Sequence, residues 1–418
     1  MSTTAPTPAA PPPAPPSAGG DAVEEHLAPA AMLRRRLRTL REGELGSFPI
    51  IVGIVIIAIY FQARNSQFIT AGNFVNLIAQ MSAVTIIGMG IVFVLLLGEI
   101  DLSVGYVSGM GGVVAAVLLE PGKGVPTLVA ILLALGAGAL IGLLQGFFVA
   151  KLGVPSFVVT LAGLLGWNGV VLQVIGSSGT IVIQNNFVNS IANGYVHEWL
   201  SWVVAIGAVA AYVLQQFATV RRRAQAGLPN TSWLLIGARI ALLAAAAAGT
   251  VIWAYNDRGL PYVTLVMLGT YILWTFVTTR TSFGRHVYAV GGNVEAARRA
   301  GINVARVRML VFMIASTMAA LGGIVLASRL SSVDTSTGGG TILLYSIAAA
   351  VIGGTSLFGG RGTIRSAVLG AIVIAMIDNG LGLLNVSAGT KYIVTGLVLL
   401  AAVTLDSISR RGRQGSGR

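Results

Sequence analysis

The chain is predicted to be an all-α protein, a polytopic transmembrane helical bundle of about 12 spans with N- and C-termini cytoplasmic. Three observations predict this class. Only 10% of its 418 residues are charged and 55% are hydrophobic, whereas a water-soluble domain carries about a quarter charged residues. Apolar runs of about 20 residues, long enough to cross a bilayer, recur along most of the length. With the N-terminus inside, every lysine and arginine except Arg64, Lys123, Arg258, Arg329 and Lys391 falls on a cytoplasmic flank, the asymmetry expected of a membrane protein. A miscount by one helix would scramble that asymmetry, so it supports the even count.

The same composition excludes other classes. There is no cysteine, hence no disulfide framework, thiolate metal site or cysteine nucleophile. The three histidines, His26, His197 and His286, are too scattered for a metal cluster. The net charge of +13 reflects cytoplasmic arginines rather than a nucleic-acid partner. The 54 glycines suit helices that approach closely in lipid.

Residues 1–45 begin with TTAPTPAAPPPAPPSAGG, which has no periodicity and reads as a disordered cytoplasmic tail. No apolar core follows a basic start, so no signal peptide is read here. LRRRLRTLRE then forms the basic flank of the first span. The transmembrane domain is expected over residues 46–407, with spans at Phe48–Phe61, Phe74–Leu97, Val104–Leu119, Pro126–Ala150, Pro155–Ile175, Trp199–Ala218, Trp233–Tyr255, Leu260–Thr278, Met309–Ala327, Thr341–Leu357, Ile364–Leu384 and Tyr392–Leu405. Gly138, Gly142 and Gly146 lie four apart on one helix face, and Gly105 and Gly109 repeat the spacing, so both are expected contact seams. Residues 408–418 form a basic cytoplasmic tail.

Residues 280–308 are the longest polar interruption between apolar runs. Gly291-Gly292-Asn293 is a turn signal. Glu295 falls in the first turn of a short helix, Arg298 and Arg299 in the last, and Gly301 just past its end, an order that suits the helix dipole and a glycine cap. Glu295 and Arg299 are four apart and can pair. A helix of about two turns does not persist alone in water, so it must dock on something. It is either a cytoplasmic knob gripped by a partner protein or a solvated connector between two spans.

LGEIDLSVG, at Leu97–Gly105, sets Glu99, Asp101 and Ser103 between two apolar segments. Carboxylates in or near a bilayer mark a pathway or partner; the alternative is a short turn in which Asp101 caps the next helix. A second polar break, IGGTSLFGGRGTIR at Ile352–Arg365, hints at corresponding halves. Asp378 and Asn379 lie inside a span, where they contact a passing solute or bond a neighbouring helix. The asparagines at 185, 186, 189 and 193 fall on an external loop. No phosphate-binding GxxxxGK[ST] loop occurs, so ATP-driven transport would need a second chain to bind the nucleotide. No serine–histidine–acid spacing supports an enzyme.

GEIDLSVG (Gly98–Gly105), KLGVPSFVVTLAGL (Lys151–Leu164), GGNVEAARRAGINVARVR (Gly291–Arg308) and IAAAVIGGTSLFGGRGTI (Ile347–Ile364) resemble, in this order, the permease subunits of bacterial monosaccharide ABC importers of the ribose/xylose/galactose type. The resemblance spans about Gly72–Ser407. Glu99 before the Ile-Asp-Leu-Ser and the extra helix pair within 221–279 are similar to the xylose-type branch. It implies an ATP-driven importer, in the bacterial cytoplasmic membrane, of D-xylose or a related pentose or hexose. It implies partners: a sugar ABC ATPase carrying ATP and magnesium, an extracytoplasmic sugar-binding protein, and a second permease copy. This chain itself, with lipid around it, would bind no cofactor and no metal. The resemblance assigns ATPase coupling to the 280–308 loop, with Gly292, Asn293, Glu295, Ala296, Arg298, Arg299 and Gly301 as candidates. Glu99, Asp101, Ser103, Asp378 and Asn379 are candidates for the translocation pathway. An ion-coupled secondary sugar transporter is the alternative.

Overall fold

A computed structural model describes residues 48–228 and 232–414. The expected tail over 1–45, its basic flank and residues 415–418 lie outside the described residues. Fifteen α-helices follow one another among the described residues: α1 (Phe48–Arg64), α2 (Ala71–Leu96), α3 (Val104–Leu118), α4 (Thr127–Ala150), α5 (Ser156–Ile175), α6 (Asn186–Asn193), α7 (Glu198–Gln225), α8 (Trp233–Tyr255), α9 (Val263–Arg280), α10 (Ser282–Gly292), α11 (Val294–Arg299), α12 (Val304–Leu330), α13 (Ile342–Ile352), α14 (Ile364–Leu383) and α15 (Ala388–Gln414). Two three-residue strands, β1 (Thr180–Val182) and β2 (Ser332–Asp334), pair antiparallel with Thr180 opposite Asp334. Each predicted span falls on a helix. Eight of them, α2, α4, α5, α7, α8, α9, α12 and α14, are long and apolar enough to cross a membrane, and α1, α3, α13 and the start of α15 are shorter apolar helices.

Helices α2 and α12 form the centre. Every residue from Met81 to Leu97 is buried, and Phe93 and Phe312 are among the largest side chains wholly enclosed. Lipid tails are as apolar as leucine, so this burial gains from close packing rather than from escape from water. The predicted glycine seam supplies such packing: Gly138, Gly142 and Gly146 of α4 lie directly against Ser316, Phe312 and Met309 of α12. Gly105 of α3 lies against Leu343 in the first turn of α13. Gly105 and Gly109 also receive the Thr337–Gly338 turn that follows β2.

That packing corrects the predicted Thr341–Leu357 span. Only Ile342–Ile352 is helical, about 16 Å at 1.5 Å per residue. Turns over 335–341 precede it, with Thr337 and Gly338 against α3, and residues 353–357 follow it without helix. Irregular backbone is tolerated at membrane depth where protein covers it, and Thr337 is buried.

Helices α7 and α8, the extra pair, contrast with this core. Ser201 is the one buried residue of α7, and α8 buries only Ile236, Val251 and Ala254. A helix apolar on all sides and exposed suits lipid. Its ties to the centre are specific ones. Trp253 Nε1 donates to the Ile69 carbonyl at 3.0 Å, and the Asp257 carboxylate lies against Gly72.

The 280–308 interruption holds two helices, not one. Thr281 caps α10, its Oγ1 accepting from Gly284 N at 3.1 Å. Asn293, read as part of a turn, instead separates α10 from α11 and caps the latter, its Oδ1 accepting from Ala296 N at 2.9 Å. The loop asparagines are also largely spent within the chain. Asn185 caps α6 and donates to Thr127, Asn189 donates to the Ile183 carbonyl, and Asn193 donates to that of Ser328.

Candidate functional site: a glycine junction and two polar clusters

Three backbones meet where α2 ends. Gly360 N, in the second polar break, donates to the Leu96 carbonyl at 2.9 Å. Gly291, in the last turn of α10, packs on both: a Cβ there would overlap the Leu96 carbonyl oxygen and lie 2.9 Å from Gly360 N. Gly359, at φ +84°, fits between Gly98 and Gly291, a backbone region in which only glycine is at ease. Tyr288 of α10 donates its hydroxyl to the Gly362 carbonyl at 2.8 Å. The two breaks, separate in sequence, therefore touch, and the polar loop rests on both. Gly292, the predicted residue, faces open space; its neighbour Gly291 makes the contact. The run of two glycines was the available signal and does not distinguish them.

Glu99 is drawn into this junction. Its Oε1 lies 3.1 Å from Arg308 Nη2, with both side chains less than a third exposed. Arg308 ends the polar loop, in the first turns of α12, so the pair ties the first break to that loop. The sequence carried no sign of this partner.

Helix α11 presents the remaining candidates outward. Glu295, Ala296, Arg298 and Arg299 are exposed, and Ala297 is buried. Glu295 pairs with Arg298 at 3.0 Å and with Arg299 at 3.4 Å, each exposed pair contributing about 0.3–0.5 kcal/mol. Gly301, at φ +82°, closes the helix: its N–H bonds the Arg298 carbonyl at 3.0 Å and that of Ile302 bonds Ala297 at 3.1 Å. These two bonds are the Schellman pattern. The docking that a two-turn helix requires is thus supplied by its own chain through Ala297, so its persistence does not demand a partner.

Asp101 and Ser103 are buried. Asp101 Oδ1 accepts from Ser103 N at 2.8 Å and Oγ at 2.6 Å, the geometry of a turn that starts α3. Ser103 Oγ also lies 3.0 Å from Gln145 Oε1. One hydroxyl proton serves one acceptor at a time, so turning the Gln145 amide would satisfy both neighbours. Asp101 Oδ2, Gln145 Nε2 and Trp167 Nε1 are buried without a hydrogen-bond partner. Gln145 Nε2 and Trp167 Nε1 approach the space above Gly163, 2.6 and 3.4 Å from where a Cβ would stand.

At the opposite end of α2, Asp378 and Asn379 have different surroundings. Asn379 is buried and exchanges amide hydrogen bonds with Asn73, both at 2.9 Å. It also donates to Gln80 Oε1 at 3.3 Å. Gln80 Nε2 donates to Asp378 Oδ2 at 2.9 Å. Asp378 itself is a quarter exposed. Asn73 and Gln80 are seven apart, two turns along one face of α2; that spacing could have been read from the sequence. A separate crevice of about 770 Å³ between α1, α2, α8 and α14 is lined by residues such as Phe74, Leu77, Trp253 and Met376, a surface for acyl chains rather than for a polyol.

Comparison with known proteins follows this geometry. Residues 73–403 match the family described as "Branched-chain amino acid transport system / permease component". The chain is 38% identical over 375 residues to the xylose transport system permease protein of Escherichia coli K12, covering 89% of this chain and 94% of that one. It is 35% identical over 374 residues to the xylose transport system permease protein of Haemophilus influenzae Rd, covering 89% and 99%. It is 32% identical over 357 residues to the ribose import permease protein of Escherichia coli K12, covering 85% and 92%. No solved structure matches the chain at a significant level. The chain belongs to this permease family and is a multi-pass membrane transport component.

Proposed function

We propose that this permease is the membrane subunit of an ATP-driven ABC importer that carries a monosaccharide, D-xylose or a related pentose or hexose, across the bacterial cytoplasmic membrane by alternating access. The observation that carries the reading is its likeness, over 85–89% of its length, to permeases named for xylose and ribose. The ATPase, with ATP and magnesium, docks on the exposed face of α11. A sugar-binding protein delivers cargo outside, and two permease copies form the unit. Force on α10 and α11 passes through Gly291 and the Glu99–Arg308 pair to both polar breaks, and the helices rock. An ion-coupled carrier is less well supported, because it leaves the outward face of α11 and its link to the breaks without a role.

In this reading twelve crossings place both termini and residues 280–308 in the cytoplasm. The contacts between connections support it, since each joins segments assigned to one side: Ile100 N to Ser156, Tyr288 to Gly362, Asn65 to the Leu383 carbonyl, and Asn185 to Thr127. Residues 1–45 and 408–418 form cytoplasmic tails around a membrane domain at 46–407. Residues 221–279 include the added helix pair. Single cysteines at Ser282 and Asn256 of this cysteine-free chain are expected to label from opposite sides; labelling from one side would overturn the map.

The function is tested by co-purification with the ATPase and by sugar-stimulated ATP hydrolysis. Arg298→Glu with Arg299→Glu is expected to leave the permease folded, since surface changes move stability within about 0.5 kcal/mol. It should weaken ATPase binding and abolish stimulation, because reversed charge meets like charge at an interface. Normal binding and stimulation would leave the loop a mere connector.

A further inference from the structure

Between α2, α13 and α14 lies a cavity of about 30 Å³, lined by residues including Gln80, Met81, Val84, Tyr345, Ile374 and Asp378. On the topology proposed above it sits toward the outer end of the bundle. Its lining has two characters. Met81, Val84 and Ile374 are apolar, while Gln80, Tyr345 and Asp378 supply an amide, a phenol and a carboxylate. At this size the cavity admits a single water or one hydroxyl group, not a sugar ring.

The two oxygens of Asp378 differ in what they hold. Oδ2 accepts from Gln80 at 2.9 Å. Oδ1 has only long contacts, 3.5 Å to the Tyr345 hydroxyl and 3.9 Å to Lys391 Nζ. Charge-assisted hydrogen bonds to a carboxylate are about 2.7–2.9 Å long, so Oδ1 retains most of its accepting capacity. Behind the carboxylate, Gln80 is held by Asn379, and Asn379 by Asn73. This chain of amides fixes one oxygen and leaves the other weakly held, on a residue that lines the cavity. Lys391 and Arg329, which lies within electrostatic reach of Asp378, surround one carboxylate with two cations. That balance disfavours a bound cation and suits a neutral ligand whose hydroxyl can bridge an acceptor and an ammonium.

We propose that Asp378, Tyr345 and Lys391 form an outer subsite that takes one hydroxyl group of the monosaccharide as it passes, with Gln80 and Asn379 as positioning residues. The inference rests on the sugar-import reading. The hydroxyl donates to Asp378 Oδ1 and accepts from Lys391, and the Tyr345 phenol borders the site.

The test uses vesicles containing the permease, its ATPase and sugar-loaded binding protein, with D-xylose and D-ribose as probes. Asp378→Asn keeps the shape and removes the charge. It is expected to lower uptake about tenfold or more, the size of one lost hydrogen bond to a charged group, and to change the xylose-to-ribose uptake ratio. Stimulated ATP hydrolysis and thermal unfolding should stay near wild type. Unchanged uptake, or a fall in step with stimulation and unfolding temperature at a constant sugar ratio, would overturn the subsite. Should Asp378→Asn fail to assemble, Tyr345→Phe removes one hydroxyl with little change in packing and is expected to shift the same ratio; a constant ratio would count against the subsite. Wild-type vesicles that move no monosaccharide would overturn the import reading itself, a result distinct from normal wild-type uptake with an indifferent variant.

Discussion

The glycine junction and the amide–carboxylate cluster secure the two ends of one antiparallel helix pair, α2 and α14, by opposite means. At the end of α2, the segment leading into α14 is held by backbone against backbone, with Gly291 wedged against Leu96 and Gly360. At the start of α2, the far end of α14 is held by side chains alone, through Asn73, Gln80, Asp378 and Asn379. A backbone contact without room for a methyl group is stiff, because interiors packed this closely transmit strain. A hydrogen-bonded cluster of amides can exchange partners at modest cost. In membrane proteins such bonds average about 0.6 kcal/mol each. The first region therefore resists displacement, while the second can rearrange.

The largest effect is expected from Gly291→Val, which forces side-chain atoms into the Leu96 carbonyl. Overpacking against side chains usually costs about 1–3 kcal/mol, and here the obstacle is a backbone carbonyl that the added Cβ would overlap, so the cost exceeds that range. The variant should lose uptake and stimulated ATP hydrolysis and melt earlier in detergent. Gly292→Val, with open space before it, should melt close to wild type. Equal behaviour of the two would break the contrast between a stiff junction and its surroundings.

Next in size is the Glu99–Arg308 pair. Removing one partner of a largely buried ion pair costs about 3 kcal/mol, since the other charge is stranded. Glu99→Gln and Arg308→Gln should each impair ATPase stimulation. The exchanged pair, Glu99→Arg with Arg308→Glu, should recover much of it. Failure of the exchange to do better than either single reversal would show that the pair is incidental.

The smallest effect is expected at Asn379. Asn379→Leu leaves Asn73 and Gln80 without their shared partner and should cost about 1–2 kcal/mol, read as a lower melting temperature. Adding Asn73→Leu, which removes the stranded Asn73 carbonyl together with its amide hydrogen bond to the Phe68 carbonyl, should make the double variant less unstable than the sum of the singles. Strict additivity would mean that the two amides do not act as a unit.

Part of this arrangement was legible in the residues. The charge order and C-terminal cap of α11 follow from Glu295, Arg298, Arg299 and Gly301, because capping and i,i+4 pairing involve neighbours in the chain. Both polar breaks and the Gly138–Gly142–Gly146 seam were visible for the same reason: charge and spacing along a helix are local properties. The surroundings of Asp378 and Asn379 were not. Adjacent residues on a helix point about 100° apart, and only the position of α2 decides that one meets Asn73 while the other borders a cavity.

The sequence by itself determined the class of the molecule, through apolar length, sparse charge and the placement of arginines, since each of these reflects the solvent a segment can tolerate. It also determined where helices begin and end wherever caps are local. Only the tertiary structure decided that the two breaks touch, that Gly291 rather than Gly292 fills the junction, that Glu99 finds Arg308, and that the 341–357 span is helical only over Ile342–Ile352. Those outcomes depend on which backbones approach closely enough to exclude a side chain, a property of helix crossings that no single segment contains.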